Sequence, residues 1–120
     1  MTTSPVVFLG LRTVIYPAPD LDSAKRWWTG VLGAQPYFDE PFYVGFNVAG
    51  YELALDPRGS SDDGPITYWG VDDIDDAVAR LLASGAEEHT GTQDVGGGIR
   101  VAVVRTPSGS PLGLIRNPHF

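Results

Sequence analysis

The chain has 120 residues and a mass of 12.9 kDa, enough for one domain or for two small modules sharing a core. A chain this long buries roughly 65–70% of its unfolded surface, so it needs neither a disulfide nor a metal to fold. Hydrophobic residues at 42% against 19% charged exclude a disordered chain, and a net charge of −7 with Lys25 as the sole lysine leaves no basic stripe for nucleic acid or an anionic membrane.

The absence of cysteine excludes disulfides, thiolate nucleophiles and cysteine-held zinc or iron–sulfur centres. Residues 1–10 have no basic region and only a four-residue apolar run, 6–9, too short for a secretory leader. No window approaches the ~18 apolar residues of a membrane span. A cytoplasmic location is expected.

In chain order, a β-rich run at 11–16 precedes a helix that opens at Asp20, a plausible N-cap, with Asp22 in the first turn, where the helix dipole favours acid. Leu21, Ala24, Trp28, Val31 and Leu32 fall on one helical face, and Gly33 suits a C′ position. Strands are predicted at 35–39, 42–48 and 51–56, with a hairpin step at Ala49-Gly50. Residues 57–65, polar and rich in Pro and Gly, read as a linker. A strand at 66–71 then leads to a second helix, capped by Asp73, with Asp75 and Asp76 in its first turn and Ile74, Ala77, Val78, Leu81 and Leu82 on one face. Strands follow at 87–92, 99–105 and 112–116, the last after a Thr106-Pro107-Ser108-Gly109 turn.

The order βαβββ therefore occurs twice. Asp20 and Asp73 stand 53 residues apart, and Gly33 and Gly85 stand 52 apart. Neither half is large enough for a good core alone. The expected fold class is α+β: two βαβββ modules in tandem (about 11–57 and 66–118) in a single domain over 1–120. They would form a curved, mostly antiparallel eight-stranded sheet around a cavity, with the helices on the outer face.

The residues Pro19-Asp20-Leu21, Trp27-Trp28 and Leu32-Gly33, then Val71-Asp72-Asp73-Ile74, Ala77, Leu81 and Gly85-Ala86, and the closing Thr106–Leu112 turn, occur in a characteristic order. In these the chain resembles the vicinal oxygen chelate superfamily, the glyoxalase/bleomycin-resistance/dioxygenase proteins, from about Leu11 to Pro118. That resemblance implies the paired-module fold and a functional range from metal-dependent isomerases, lyases, epimerases and dioxygenases to metal-free antibiotic binders. It also implies four metal-ligand places: a His or Gln on each first strand, seven residues before the helix-opening aspartate, and a Glu on each last strand.

In this sequence those places hold Thr13 and Ile66, then Glu52 and Gly113. One ligand of four survives, and a lone carboxylate holds a divalent ion poorly. No cofactor is expected, and a divalent metal is disfavoured. Alternation along the strands puts Ile15 and Tyr68 with Thr13 and Ile66, and Ile115 with Gly113, while Tyr37, Tyr43 and Asn47 add stacking and hydrogen bonding. With glycine leaving room at 113, these residues describe a pocket for a small hydrophobic or aromatic molecule.

The expected function is metal-free binding or sequestration of such a molecule. The alternative is a small lyase or isomerase with Glu52 as catalytic acid or base or as part of a non-standard metal site. A further possibility for Glu52 is simple pairing with Arg100 or Arg116. A small-molecule ligand and a homodimer are the expected partners. His89 is expected at a strand edge or on a flexible 90–98 loop, and His119 at a frayed or surface-packed C-terminus. Gly96-Gly97-Gly98 is expected to form a wide hairpin or lid. One or both of Trp27 and Trp28 are expected to pack against the sheet as core, and the acidic residues at 72–76 are assigned to helix capping.

Overall fold

The computed structural model describes residues 5–60 and 62–119. Among them are eight strands and two helices in the order βαβββ, twice, which is the expected α+β class. The elements are β1 (Gly10–Pro17), α1 (Leu21–Leu32), β2 (Phe38–Glu40), β3 (Tyr43–Val48), β4 (Tyr51–Asp56), β5 (Ile66–Gly70), α2 (Ile74–Ala83), β6 (Glu87–Asp94), β7 (Arg100–Arg105) and β8 (Pro111–Arg116). Contacts divide the chain into two compact units: Thr13–Ile66, and Thr67–Phe120 together with Met1–Arg12. No helix among the described residues is long and apolar enough to cross a membrane.

In the Thr13–Ile66 unit the strands run in the order β2-β3-β4-β1. β2–β3 and β3–β4 are antiparallel, and β4–β1 is parallel, with Thr13 opposite Glu52 and Ile15 opposite Ala54. Alternation sends Val44, Phe46, Leu53 and Leu55 to one face, where they meet Leu21, Ala24, Trp28 and Leu32 of α1. Asp20 caps α1 by accepting the Ser23 amide at 3.1 Å, and Gly33 ends it in the left-handed region at φ 65°. Trp28 packs edge-on against Trp27 and tilts against Tyr16, 5.2 Å between ring centres.

Of the tryptophan pair Trp28 reaches the core while Trp27 is 61% exposed, and Val31, expected on the inner face, is 59% exposed. The α1 helix turns its Leu21–Ala24–Trp28–Leu32 stripe inward, which leaves Val31 outside a narrower stripe than predicted. The predicted strand at 35–39 is also displaced. β2 covers only three residues, because Pro36 lacks an amide hydrogen and pairing starts with the Tyr37 amide donating to the Gly45 carbonyl at 2.9 Å.

The other unit has the strand order β5-β8-β7-β6, with β5–β8 parallel and the other two pairs antiparallel. Its core is Val71, Ile74, Ala77, Ala102 and Leu114, with Val6, Val78 and Leu81 packed around it. Asp73 caps α2 by accepting the Asp76 amide at 3.0 Å. Asp76 pairs with Arg80 and Asp75 with Arg100, so the acidic run is used for capping and surface pairing. β6 extends to Asp94 through two register irregularities, which confines the expected 90–98 loop to 95–98. Gly96, Gly97 and Gly98 all have positive φ, as a wide hairpin requires.

Candidate functional site

The face of β1, β3 and β4 away from α1 carries Thr13, Ile15, Gly45, Asn47, Glu52 and Ala54. Glu52 is its centre. Its Oε1 accepts the Thr13 hydroxyl and the Tyr43 hydroxyl, each at 2.7 Å. Its Oε2 accepts the hydroxyl of Tyr37. Thr13 is 4% exposed, and Tyr43 and Glu52 are half-buried, while Tyr37 lies largely in solvent.

Burial is the first cause that pushes the Tyr43 hydroxyl above the ordinary tyrosine range, followed by the charge and hydrogen bond of Glu52. Tyr37 is pushed up in the same way, by burial and then by its hydrogen bond to Glu52. A phenol whose oxygen faces a carboxylate keeps its proton, because losing it would set two negative charges together. Both tyrosines are therefore held as proton donors.

Gly45 makes this arrangement possible. A Cβ there would stand 2.8 Å from Glu52 Oε2 and 3.0 Å from Cε1 of Tyr37. The sequence reading missed Gly45. Its one available signal was a glycine inside a strand, which marks a close approach. The reading did place Thr13, Tyr37, Tyr43 and Glu52 together. Pairing of Glu52 with Arg100 or Arg116 is replaced by the three hydroxyls, and Arg100 pairs with Asp75 instead.

Asn47 stands opposite Glu52 in the register, but its Oδ1 accepts the Gly50 amide at 3.0 Å. It closes the β3–β4 turn, since a short amide side chain bonds most readily to nearby backbone. Ile15 is half-buried beside Ala54.

Ile66 is half-buried at the start of β5. Gly113 is opposite Tyr68, two residues further along that strand. A two-residue slip keeps side chains on the same face, so alternation alone could not reveal it. The room expected at Gly113 is taken. A Cβ there would lie 2.5 Å from Cδ2 of the Tyr68 ring, which is laid on the bare backbone. Ile115 lines a separate cavity with Arg12 and Arg116.

His89 is half-buried in β6, with Nδ1 2.8 Å from the Thr90 hydroxyl. His119 is held rather than frayed. Its amide donates to Asn117 Oδ1, and its Nε2 is 3.1 Å from the Gly97 carbonyl.

The four places that the resemblance assigns to metal ligands hold one carboxylate, one hydroxyl and two residues without a side-chain donor. Ile66 and Gly113 offer no side-chain donor atom, and the Thr13 hydroxyl is hydrogen-bonded to Glu52. Both Glu52 oxygens are already acceptors. Among the described residues no three His, Cys, Asp or Glu side chains come together as a ligand set.

The sequence profile of the Glyoxalase/Bleomycin resistance protein/Dioxygenase superfamily matches residues 10–114. No curated protein matches the chain. Among solved structures, a superfamily member from Vibrio splendidus 12B01 is 20% identical with a TM-score of 0.66, over 89% of this chain and 99% of that one. Methylmalonyl-CoA epimerase from Mycobacterium tuberculosis is 18% identical with a TM-score of 0.65, over 97% and 93%. A point variant of the Streptomyces coelicolor methylmalonyl-CoA epimerase, in complex with 2-nitronate-propionyl-CoA, is 16% identical with a TM-score of 0.69, over 93% and 99%. At these identities the likeness is one of fold.

Proposed function

This chain belongs to the Glyoxalase/Bleomycin resistance protein/Dioxygenase superfamily, and from that premise we propose that it binds a small hydrophobic or aromatic molecule without a metal ion, on the sheet face that carries Glu52. One observation carries the reading: the only carboxylate at a family ligand position is satisfied by three protein hydroxyls rather than left open to a cation. Tyr37 and Tyr43 supply aromatic surface beside a polar point, the usual make-up of a small-molecule site. A ligand with a hydrogen-bond donor would take the place of the exposed Tyr37 hydroxyl on Oε2. A homodimer acting in the cytoplasm is part of the same proposal, and light scattering reads the first half of it.

The test is a thermal-shift screen of aromatic compounds on protein stripped of metal, followed by calorimetry on wild type and Glu52→Gln. Binding by metal-free wild type, weakened about tenfold in the variant as a charge-assisted hydrogen bond is lost, is the expected result. Stoichiometric metal in the purified protein, with ligand binding abolished on its removal, would overturn the reading.

A second reading is an acid–base lyase or isomerase. It is favoured by the Tyr43 hydroxyl, which stays protonated 2.7 Å from Glu52 and sets a proton donor beside a proton acceptor. It requires turnover that Glu52→Gln abolishes while binding persists.

A further inference from the structure

A cavity of about 180 Å³ opens at the ends of β5 and β8, and it shares no residue with the Glu52 cluster. Three segments frame it. The Leu9 amide donates to the Gly70 carbonyl at 2.8 Å, and the Val71 amide to the Ile115 carbonyl at 3.0 Å. These backbone bonds tie the segment before β1, β5 and β8 together, so the walls are preformed.

The lining is rich in donors. Arg12 and Arg116 both face it, in a chain with only eight basic residues and a net charge of −7. Asn117 is the third donor. Its Oδ1 is committed to the His119 amide, which turns the NH₂ end to other partners.

Arg12 is positioned by missing side chains. A Cβ on Gly70 would come within 2.9 Å of Arg12 Nε, and one on Gly10 within 3.2 Å of a terminal guanidinium nitrogen. Two glycines on different strands thus let the guanidinium lie close to the backbone. Among the lining residues the one carboxylate is Asp72, which is exposed at the rim before α2.

We propose that this cavity binds a small oxyanion, a carboxylate or a phosphate group, between Arg12, Arg116 and Asn117. The planar fork of arginine matches two oxygens of either group, and two arginines with an amide supply donors on more than one side. The volume suits the anionic end of a metabolite rather than a whole nucleotide. Asp72 opposes the bound charge and keeps the affinity modest.

The experiment is a titration of the full chain with inorganic phosphate and, separately, with acetate, followed by backbone-amide NMR shifts at an ionic strength held constant with chloride. Saturable shifts at Leu9, Gly70, Val71 and Asn117 are expected for at least one of the two anions. Arg116→Ala should weaken binding about tenfold, the loss of one charge-assisted pair. Arg116 is exposed, so the variant should fold. Gly70→Ala should also weaken binding by displacing Arg12, and Asp72→Asn should tighten it about threefold by removing an opposing charge. Saturation by phosphate alone supports the site and assigns a phosphoryl ligand, while saturation by acetate alone supports it and assigns a carboxylic acid. Shifts that do not saturate with either anion, or that are the same in wild type and Arg116→Ala, would overturn the proposal.

Discussion

The two modules repeat one scaffold and use the same place in opposite ways. Where β1 runs parallel to β4, the facing pair is Thr13 and Glu52, joined by a hydrogen bond and served by two tyrosines. Where β5 runs parallel to β8, the facing pair is Tyr68 and Gly113, a ring packed on bare backbone. One module carries a polar centre and the other fills the place with carbon. The strand order, the capped helix and the parallel pair are indifferent to that choice, because backbone pairing and the helix-side core sit apart from the face that differs.

The sharpest way to break the contrast is to crowd the filled side. Gly113→Ala puts a methyl where the Tyr68 ring lies, and it should cost about 2–3 kcal/mol by overpacking, read as a lower urea midpoint. The double variant with Tyr68→Leu should recover part of that loss.

On the polar side, Glu52→Leu removes the acceptor of three hydroxyls and leaves the buried Thr13 donor without its partner. A cost of about 1–3 kcal/mol is expected, and Glu52→Gln should cost less because it keeps an oxygen for Thr13 or Tyr43. Equal stability of wild type and Glu52→Leu would mean that the cluster contributes nothing to the fold.

Alkaline pH probes the same cluster through protons. Tyr43 has a folded pKa raised above its unfolded value of about 10, so the native state holds that proton more tightly. Its contribution is complete below pH ~10 and is lost as pH rises beyond that, at up to about 1.4 kcal/mol per pH unit, because the unfolded chain releases the proton first. Phenolate absorbance should appear at lower pH in Glu52→Gln than in wild type. Identical titration curves would separate the tyrosines from Glu52.

The smallest effect is expected at Gly45. Adding a methyl beside Glu52 Oε2 should swing the exposed Tyr37 ring aside at a cost of about 1 kcal/mol or less, since that side chain can move into solvent. Any ligand that competes with Tyr37 for Oε2 should then bind more tightly.

Much of the scaffold was legible because its signals are local. Asp20 and Asp73 announce their helices by accepting the amides three residues on, as capping geometry requires. Glu52 was legible through the resemblance, because it falls at a ligand position of the family on the last strand of the first module, whereas the facing of Tyr37 and Tyr43 was not fixed by the sequence. Gly45 and Gly70 did not stand out, because their meaning lies in the side chains laid over them. A slip of one or two residues that brings in Tyr68 was open from the sequence, but alternation could not decide it, since a slip of two leaves the facing unchanged; the register pairs Gly113 with Tyr68 rather than Ile66.

The amino-acid sequence by itself determined the two capped helices, the strand-rich runs around them, the repeat and the absence of the family's usual ligand residue at three of the four places that the resemblance implies. Each of these depends on residue identity and on spacing along the chain. Tertiary structure alone decided which hydroxyls reach Glu52, that Tyr68 fills the place above Gly113, and that Arg12 and Arg116 meet at one cavity. Those outcomes bring together residues far apart in the chain through the parallel registers of β1–β4 and β5–β8, the Leu9–Gly70 backbone bond and the glycines that admit close approach.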